Sequence, residues 1–110
     1  VSGILFGAVF VQGGKARTEL YIDVGEGEKN KALFDWLYDQ REGIHSKLGK
    51  ELEWERLDDK RASRIAVYRD GSIQSNEEEL IQIKAWHVEN LIIFKKILTP
   101  LIKKGLKAIT

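Results

Sequence analysis

The sequence predicts an α+β fold, a two-layer sandwich in which a mainly antiparallel four-stranded sheet carries both helices on one face. Three observations predict this class. Four short segments have the pattern of strands, two longer segments have a helical period, and they follow one another as strand-strand-helix, strand-strand-helix. A chain of 110 residues is close to the commonest domain size. We therefore expect residues 1–110 to form a single domain.

The first two strands are predicted to form a hairpin. Residues 4–11 are almost wholly apolar, which is typical of a strand in the middle of a sheet or under a partner domain. After Gly13 and Gly14, residues 15–24 alternate, with Thr18, Leu20 and Ile22 on the same side of the strand. Two strands joined by a Gly-Gly pair indicate a β-hairpin.

A single first helix is predicted between the second and third strands. Leu33, Leu37, Ile44 and Leu48 fall close to one helical stripe, and Gly49 is a suitable residue for the position just after a helix. The glycine-rich turn before this helix does not resemble a phosphate-binding loop, because acidic residues occupy the positions where a pyrophosphate would lie.

The third and fourth strands are predicted at residues 51–57 and 64–70. Glu51, Glu53 and Glu55 repeat every second residue, so they lie on one face of the third strand. That face of the sheet is expected to be polar and of mixed charge, with glutamates paired to Arg64 or Arg17. Carboxylates that merely repeat along one strand do not indicate a metal-dependent hydrolase, the function that we favour least.

The second helix is predicted to begin at Ser75, since Ser75 and Glu78 have the spacing of a capping box. Its apolar belt is wider than one sheet face requires, which leaves two interpretations open: ordinary core packing, or a dimer or interdomain surface. Pro100 is predicted to break or kink this helix, with a short helical piece after it through about Ala108.

Composition excludes several classes of chemistry. The absence of cysteine excludes disulfides, thiol nucleophiles and iron–sulfur clusters. The two histidines are 42 positions apart and indicate no metal site. We expect His87 to be partly buried and hydrogen-bonded to backbone or to a neighbouring acid, and His45 to be solvated. No serine has the surroundings of a nucleophile elbow. We therefore expect no catalytic residues, no metal, no cofactor and no enzymatic activity in this domain.

The net charge of +1 conceals an asymmetry. Residues 1–89 carry a net charge of −4, whereas residues 90–110 carry five lysines and no acid. Basic residues can neutralise nucleic-acid phosphates, but late lysines also complement a helix dipole and keep an apolar helix soluble, so both interpretations stay open. The five basic residues between positions 56 and 69 form a central group, and at least one of its arginines is expected to have a structural role. The candidate nucleic-acid contacts are Arg56, Lys60, Arg61, Arg64, Arg69, Lys103, Lys104 and Lys107.

A block of residues at 52–68 carries a resemblance to a known family. It contains Trp54, Arg56 and Leu57 followed by a basic run from Lys60 to Ile65. With residues 19–23, 31–37 and 85–86, this block resembles the prokaryotic domain-of-unknown-function family 4268. The resemblance implies a C-terminal domain, often preceded by a domain similar to PD-(D/E)XK nucleases, and it implies no catalytic residues.

These observations lead to two hypotheses. The first is a non-catalytic accessory domain of a larger, nuclease-like prokaryotic protein in the cytoplasm, where it contacts nucleic acid or a partner domain. The alternative is a structural or dimerisation module that packs through the apolar belt of the second helix. Because the chain begins with Val1, we expect a fragment of a longer protein, with nucleic acid, an upstream domain of the same chain and a second copy as candidate partners, and no membrane.

Overall fold

A computed structural model of the protein describes residues 2–110. Four strands form one antiparallel sheet in the order β1-β2-β4-β3, and three helices complete the fold. The elements are β1 (Ile4–Val11), β2 (Lys15–Ile22), α1 (Gly27–Asp39), α2 (Arg41–Leu48), β3 (Glu53–Glu55), β4 (Ser63–Asp70) and α3 (Glu77–Ile109). The predicted α+β class with a four-stranded antiparallel sheet is confirmed.

The predicted hairpin of β1 and β2 is confirmed, but the central position predicted for β1 is wrong. β1 pairs with β2 along its whole length, from Ile4 opposite Ile22 to Val11 opposite Lys15, and has no strand on its other side. β2 and β4 occupy the centre. Leu5 of β1 is 63% exposed. The order of strands depends on pairing between distant segments, which an apolar run cannot reveal.

The hydrophobic core lies against one face of the sheet. In β2 every second side chain from Ala16 to Ile22 faces the core and is buried, and those of Leu20 and Ile22 are fully enclosed. The register places Leu20 beside Ile65 of β4, so both strands present the same face to the core. The helices complete this core with Leu33, Phe34 and Leu37 of α1, Ile44 and Leu48 of α2, and Phe94, Leu98 and Ile102 of α3.

The single first helix predicted from the sequence is two helices, α1 and α2. The break falls at Gln40, whose backbone N–H bonds to the carbonyl oxygens of Leu37 and Tyr38 and tightens the end of α1. No side chain between Leu37 and Ile44 is buried, so a break in the helix here leaves the core contacts of both segments in place. The predicted stop at Gly49 is confirmed, since Gly49 adopts a left-handed conformation with φ of 74°.

α3 differs from its prediction at its beginning and near its end. Asn76, not Ser75, caps the helix by accepting a hydrogen bond from the Glu79 N–H at 2.8 Å. Ser75 instead accepts from the Ser72 N–H in the preceding turn. The helix continues through Pro100 to Ile109. Pro100 is exposed, so the carbonyl oxygen that loses its donor lies on the solvent side, where water can satisfy it.

The third strand is shorter than predicted, with three residues rather than seven. Its direction is as expected: Glu53 and Glu55 lie opposite Ala66 and Arg64, on the sheet face away from the core, and Trp54 lies opposite Ile65 on the core face. The rest of the β3–β4 connection, residues 56–62, is irregular and strongly charged. Among the described residues, no helix combines the length and apolarity that crossing a bilayer demands.

Candidate nucleic-acid interface

Arg56, in the β3–β4 connection, is held between two acidic side chains. Its Nε and terminal nitrogen donate to the two carboxylate oxygens of Asp35 at 2.9 and 3.1 Å, and a third nitrogen donates to Asp58. The hydrogen bonds to Asp35 and then to Asp58 raise the pKa of Arg56 above its usual value. Arg56 therefore ties the connection to α1, and its charge is already neutralised.

Arg61 makes a second bidentate ion pair at the other end of the same connection. Its Nε and a terminal nitrogen donate to the Asp23 carboxylate at 2.9 and 2.7 Å. This hydrogen bonding lowers the pKa of Asp23 to about 2. The buried side chain of Asn30 donates to both the Asp23 carboxylate and the Arg61 carbonyl oxygen. Arg61 thus anchors the connection to the end of β2.

Arg64 lies on the sheet face away from the core and pairs with Glu55 of the neighbouring strand at 2.6 Å. The prediction that a glutamate of the third strand pairs with Arg64 is confirmed. The hydroxyl of Tyr68 donates to the other oxygen of Glu55 at 2.5 Å. Arg17, the alternative partner considered for these glutamates, instead pairs with Glu19 on its own strand at 2.6 Å. This face carries paired charges rather than a free basic patch.

The two remaining members of the central group, Lys60 and Arg69, make no ion pair within residues 2–110. Strand alternation places Arg69 on the opposite face of the sheet from Arg64. The Nε of Arg69 donates to the carbonyl oxygen of Asp70. The central basic residues are therefore spread over several surfaces, and three of the five are already paired with acids.

The terminal lysines are arranged differently. Lys96, Lys103 and Lys107 follow one another at intervals of seven and four residues, which places them on one side of α3. Lys95 and Lys104 flank them. All five are exposed, and none forms an ion pair within the part of the chain that the structure describes. We call these five residues, Lys95, Lys96, Lys103, Lys104 and Lys107, the lysine face.

The lysine face borders a groove between α3 and the edge strand. Ile4 and Phe6 of β1 form one wall, and Lys95, Thr99 and Lys103 contribute to the other. The groove has a volume of about 300 Å³. β1 has no charged residue, and residues 90–110 have no acid, so neither of these segments places a carboxylate beside the lysines.

Lys31 has a structural role that sequence reasoning missed. Its ammonium group donates to the carbonyl oxygens of Arg56, Leu57 and Ala62 and to the hydroxyl of Ser63, at 2.5 to 3.0 Å. The three N–H groups of one ammonium are therefore shared among four oxygens of the β3–β4 connection and the first residue of β4. No sequence pattern signals this, because the acceptors are mostly backbone atoms at least 25 residues away.

Both histidines have structural roles inside the fold. The predicted burial of His87 is confirmed, but its partner is neither backbone nor an acid, since its Nδ1 lies 2.8 Å from the Thr18 hydroxyl of β2. Burial lowers the pKa of His87. The prediction of a solvated His45 is wrong, because its Nε2 accepts hydrogen bonds from the Leu52 N–H and the Trp54 indole N–H. Within residues 2–110, no three His, Cys, Asp or Glu side chains converge on a metal position.

The chain matches the model of a known protein family. The model of a protein family described as Domain of unknown function (DUF4268) matches residues 1–102. Neither the curated proteins nor the solved structures contain a match to this chain. The matched range includes every strand and most of α3, and ends before Lys103, Lys104 and Lys107.

Proposed function

The chain belongs to the family described as Domain of unknown function (DUF4268), and we propose that it is a non-catalytic accessory domain that contacts nucleic acid through the lysine face. The observation that carries this proposal is the set of five exposed lysines on the last part of α3, none of which has an acidic partner among residues 2–110. The central arginines contribute less to it, because Arg56, Arg61 and Arg64 already pair with aspartate or glutamate.

The geometry of the lysine face suits a phosphate backbone. From Lys95 to Lys107 the helix rises by about 18 Å, at 1.5 Å per residue, so several phosphates of one nucleic-acid segment are within reach of its ammonium groups. Lysine is a flexible point charge that binds phosphate without reading bases. We therefore expect binding that does not depend on base sequence and that weakens with added salt.

The side chains that catalysis most often uses are engaged elsewhere, which supports the non-catalytic part of the proposal. His45 accepts two hydrogen bonds inside the fold, and His87 is buried against Thr18. Glu55 accepts from both Arg64 and Tyr68. The proposal also includes a nuclease-like domain in the same protein and a cytoplasmic setting. The first rests on the family resemblance in residues 52–68, and the second on the cysteine-free composition.

The proposal is tested by titrating the protein into fluorescent duplex DNA, single-stranded DNA and RNA at several salt concentrations. The variant with Lys96→Gln, Lys103→Gln and Lys107→Gln should bind about tenfold more weakly or worse at low salt. The slope of log K against log[salt] should become shallower by about 0.7–0.9 for each lysine–phosphate pair that the substitutions remove.

A matched control variant loses the same number of positive charges at positions outside the lysine face. The triple variant Lys29→Gln, Lys47→Gln and Lys84→Gln removes three lysines outside the lysine face. Its binding should stay close to that of the unmodified protein. If the unmodified protein binds no nucleic acid at low salt, the proposal is wrong. If both triple variants lose affinity equally, overall charge rather than the lysine face is responsible.

A second candidate function, a module that dimerises through α3, is favoured by a separate observation. The apolar belt of this helix is only partly used by the core, since Ile81 and Ile92 are 63% and 64% exposed. Multi-angle light scattering over a range of protein concentrations tests it. A monomer at the highest concentration would exclude this candidate and leave nucleic-acid binding unaffected.

A further inference from the structure

α3 has two apolar faces that point in different directions. The first consists of Ile83, Phe94 and Leu98, which are buried in the core. The second consists of Ile81, Val88 and Ile92, whose side chains are 63%, 47% and 64% exposed. Isolated exposed aliphatic residues are common. Three of them on one side of one helix form an apolar stripe, and its exposure to water is unfavourable in free energy.

The exposed stripe has the spacing of a coiled-coil seam. Its positions are Glu78, Ile81, Ala85, Val88, Ile92 and Lys95, separated alternately by three and four residues. This is a repeat of 3.5 residues, the period at which two helices keep one face in contact. The core face of α3 is offset from these positions, so a second helix can cover the stripe while the fold stays intact.

The order of residues along the seam is also compatible with two-fold symmetry. Reversal about the point between residues 86 and 87 exchanges Ile81 with Ile92 and Ala85 with Val88. It also exchanges Glu78 with Lys95, which have opposite charges. A two-fold axis at this point would place every seam residue opposite a complementary one in a second copy of the same helix.

We propose that a second copy of this chain covers the stripe, with the two α3 helices packed antiparallel about this axis. Ile81 of each copy lies opposite Ile92 of the other, Ala85 opposite Val88, and Glu78 opposite Lys95. Parallel packing of the same stripe places Glu78 against Glu78 and Lys95 against Lys95, so like charges repel at both ends. The antiparallel arrangement also brings Glu77 towards Lys96. Charge complementarity along the helix therefore favours a second copy of this chain as the partner that covers the stripe.

This arrangement rests on the second candidate function and specifies its register, and it is compatible with nucleic-acid binding. Lys103, Lys104 and Lys107 lie beyond the seam and stay available. Lys103 lies about 25 Å along the helix from the proposed axis, at 1.5 Å per residue. The dimer thus carries one such group of lysines at each end of the paired helices.

Cysteine cross-linking tests the register, because the natural chain contains no cysteine. The variants Ile81→Cys and Ile92→Cys are oxidised separately and as an equimolar mixture, and disulfide-linked dimers are quantified on a non-reducing gel. The antiparallel register predicts the cross-link in the mixture, with little in either variant alone, since identical residues are about 16 Å apart along the helix. Cross-linking of each variant with itself would overturn the register in favour of parallel packing. A monomer by light scattering would overturn dimerisation altogether.

Charge reversal provides an independent test by sedimentation equilibrium. Glu78→Lys and Lys95→Glu should each raise the dimer dissociation constant about tenfold, and the double variant should restore it, because the proposed pairs re-form with exchanged partners. If the double variant dissociates as much as or more than either single one, these residues are not opposite each other. Ile92→Asp should dissociate the dimer, whereas the control Ile73→Asp, at a position 70% exposed in the turn before α3, should not.

Discussion

Trp54 connects the short third strand to both of the helices that follow the hairpin. Its ring packs edge-on against Phe34 and Tyr38 of α1, with centroid distances of 5.9 and 5.4 Å. Its indole N–H donates to the Nε2 of His45 on α2 at 3.0 Å. The alternation that puts Glu53 and Glu55 on one face of the strand puts Trp54 on the other. The hydrogen bond that orients its ring depends on a histidine that was predicted from the sequence to be solvated.

Truncation of Trp54 should destabilise the fold. Trp54→Ala removes a large packed ring, and we expect the free energy of unfolding to fall by about 3–5 kcal/mol in urea titrations followed by circular dichroism. Trp54→Phe keeps most of the ring but loses the indole hydrogen bond, which should cost less. A loss below about 1 kcal/mol for Trp54→Ala would show that the ring contributes little to the core.

His87 should make stability depend on pH near neutrality. Burial first, and then the charge of Arg69, lower its pKa below the value of 6.5 that it has when unfolded. Below that pH the unfolded chain therefore binds a proton at His87 more readily than the folded chain does. The free energy of unfolding has its full value above about pH 6.5 and falls as the pH is lowered.

The measurement compares urea unfolding between about pH 8 and about pH 5.5, a range above the titration of ordinary carboxylates. The natural protein should lose stability across this range, and His87→Gln should lose clearly less, because glutamine does not titrate. Equal pH dependence in the two proteins would show that His87 is not the responsible group.

At the scale of elements, Gly105 of α3 lies directly against side chains of α1. A Cβ atom there would lie 2.7 Å from the Leu33 Cδ1 atom and 2.8 Å from the Trp36 ring of α1. Both distances are too short for carbon atoms in contact. The absence of a side chain at this position therefore allows α1 and α3 to pack closely, and an isolated glycine in a helix pattern does not reveal such a reason.

Gly105→Ala should consequently destabilise the protein although alanine favours helices. We expect overpacking to cost about 1–3 kcal/mol, more than the gain in helix propensity. Gly43→Ala is the matched control, because a Cβ there has no neighbour within 4 Å and α2 is solvent-exposed at this point. It should stabilise by about 0.5–1 kcal/mol. Thermal unfolding of both variants checks the opposite signs, and stabilisation by Gly105→Ala would contradict this packing.

The elements also show where local patterns fail. The alternation in β2 and β4 predicted their buried faces correctly, because residues two apart on a strand always share a face. The continuous stripe from Leu33 to Leu48 predicted one helix where there are two. The periodicity of apolar residues indicates which side chains face the core. It does not change when one helix ends and the next begins at a single residue, Gln40.

At the scale of the whole molecule, α3 organises both the fold and its surface. Its 33 residues correspond to a length close to the 46 Å longest dimension of the protein. One side completes the core, another carries the exposed apolar stripe, and the last part carries the lysine face. Lys103, Lys104 and Lys107 lie outside the proposed dimer seam, whereas Lys95 belongs to both the seam and the lysine face. Substitution of Lys103, Lys104 and Lys107 should therefore weaken the proposed nucleic-acid binding without affecting the proposed dimer.

The sequence by itself determined which segments are strands and how they follow one another along the chain, the hairpin, the polar outer face of the sheet and the charge asymmetry, because these follow from neighbouring residues. Only the tertiary structure decided that β1 is an edge strand and that Arg56 and Arg61 pair with Asp35 and Asp23. Those partners lie 21 and 38 residues away. Which charges stay free depends on contacts between distant segments, and such contacts leave no periodic pattern in the chain.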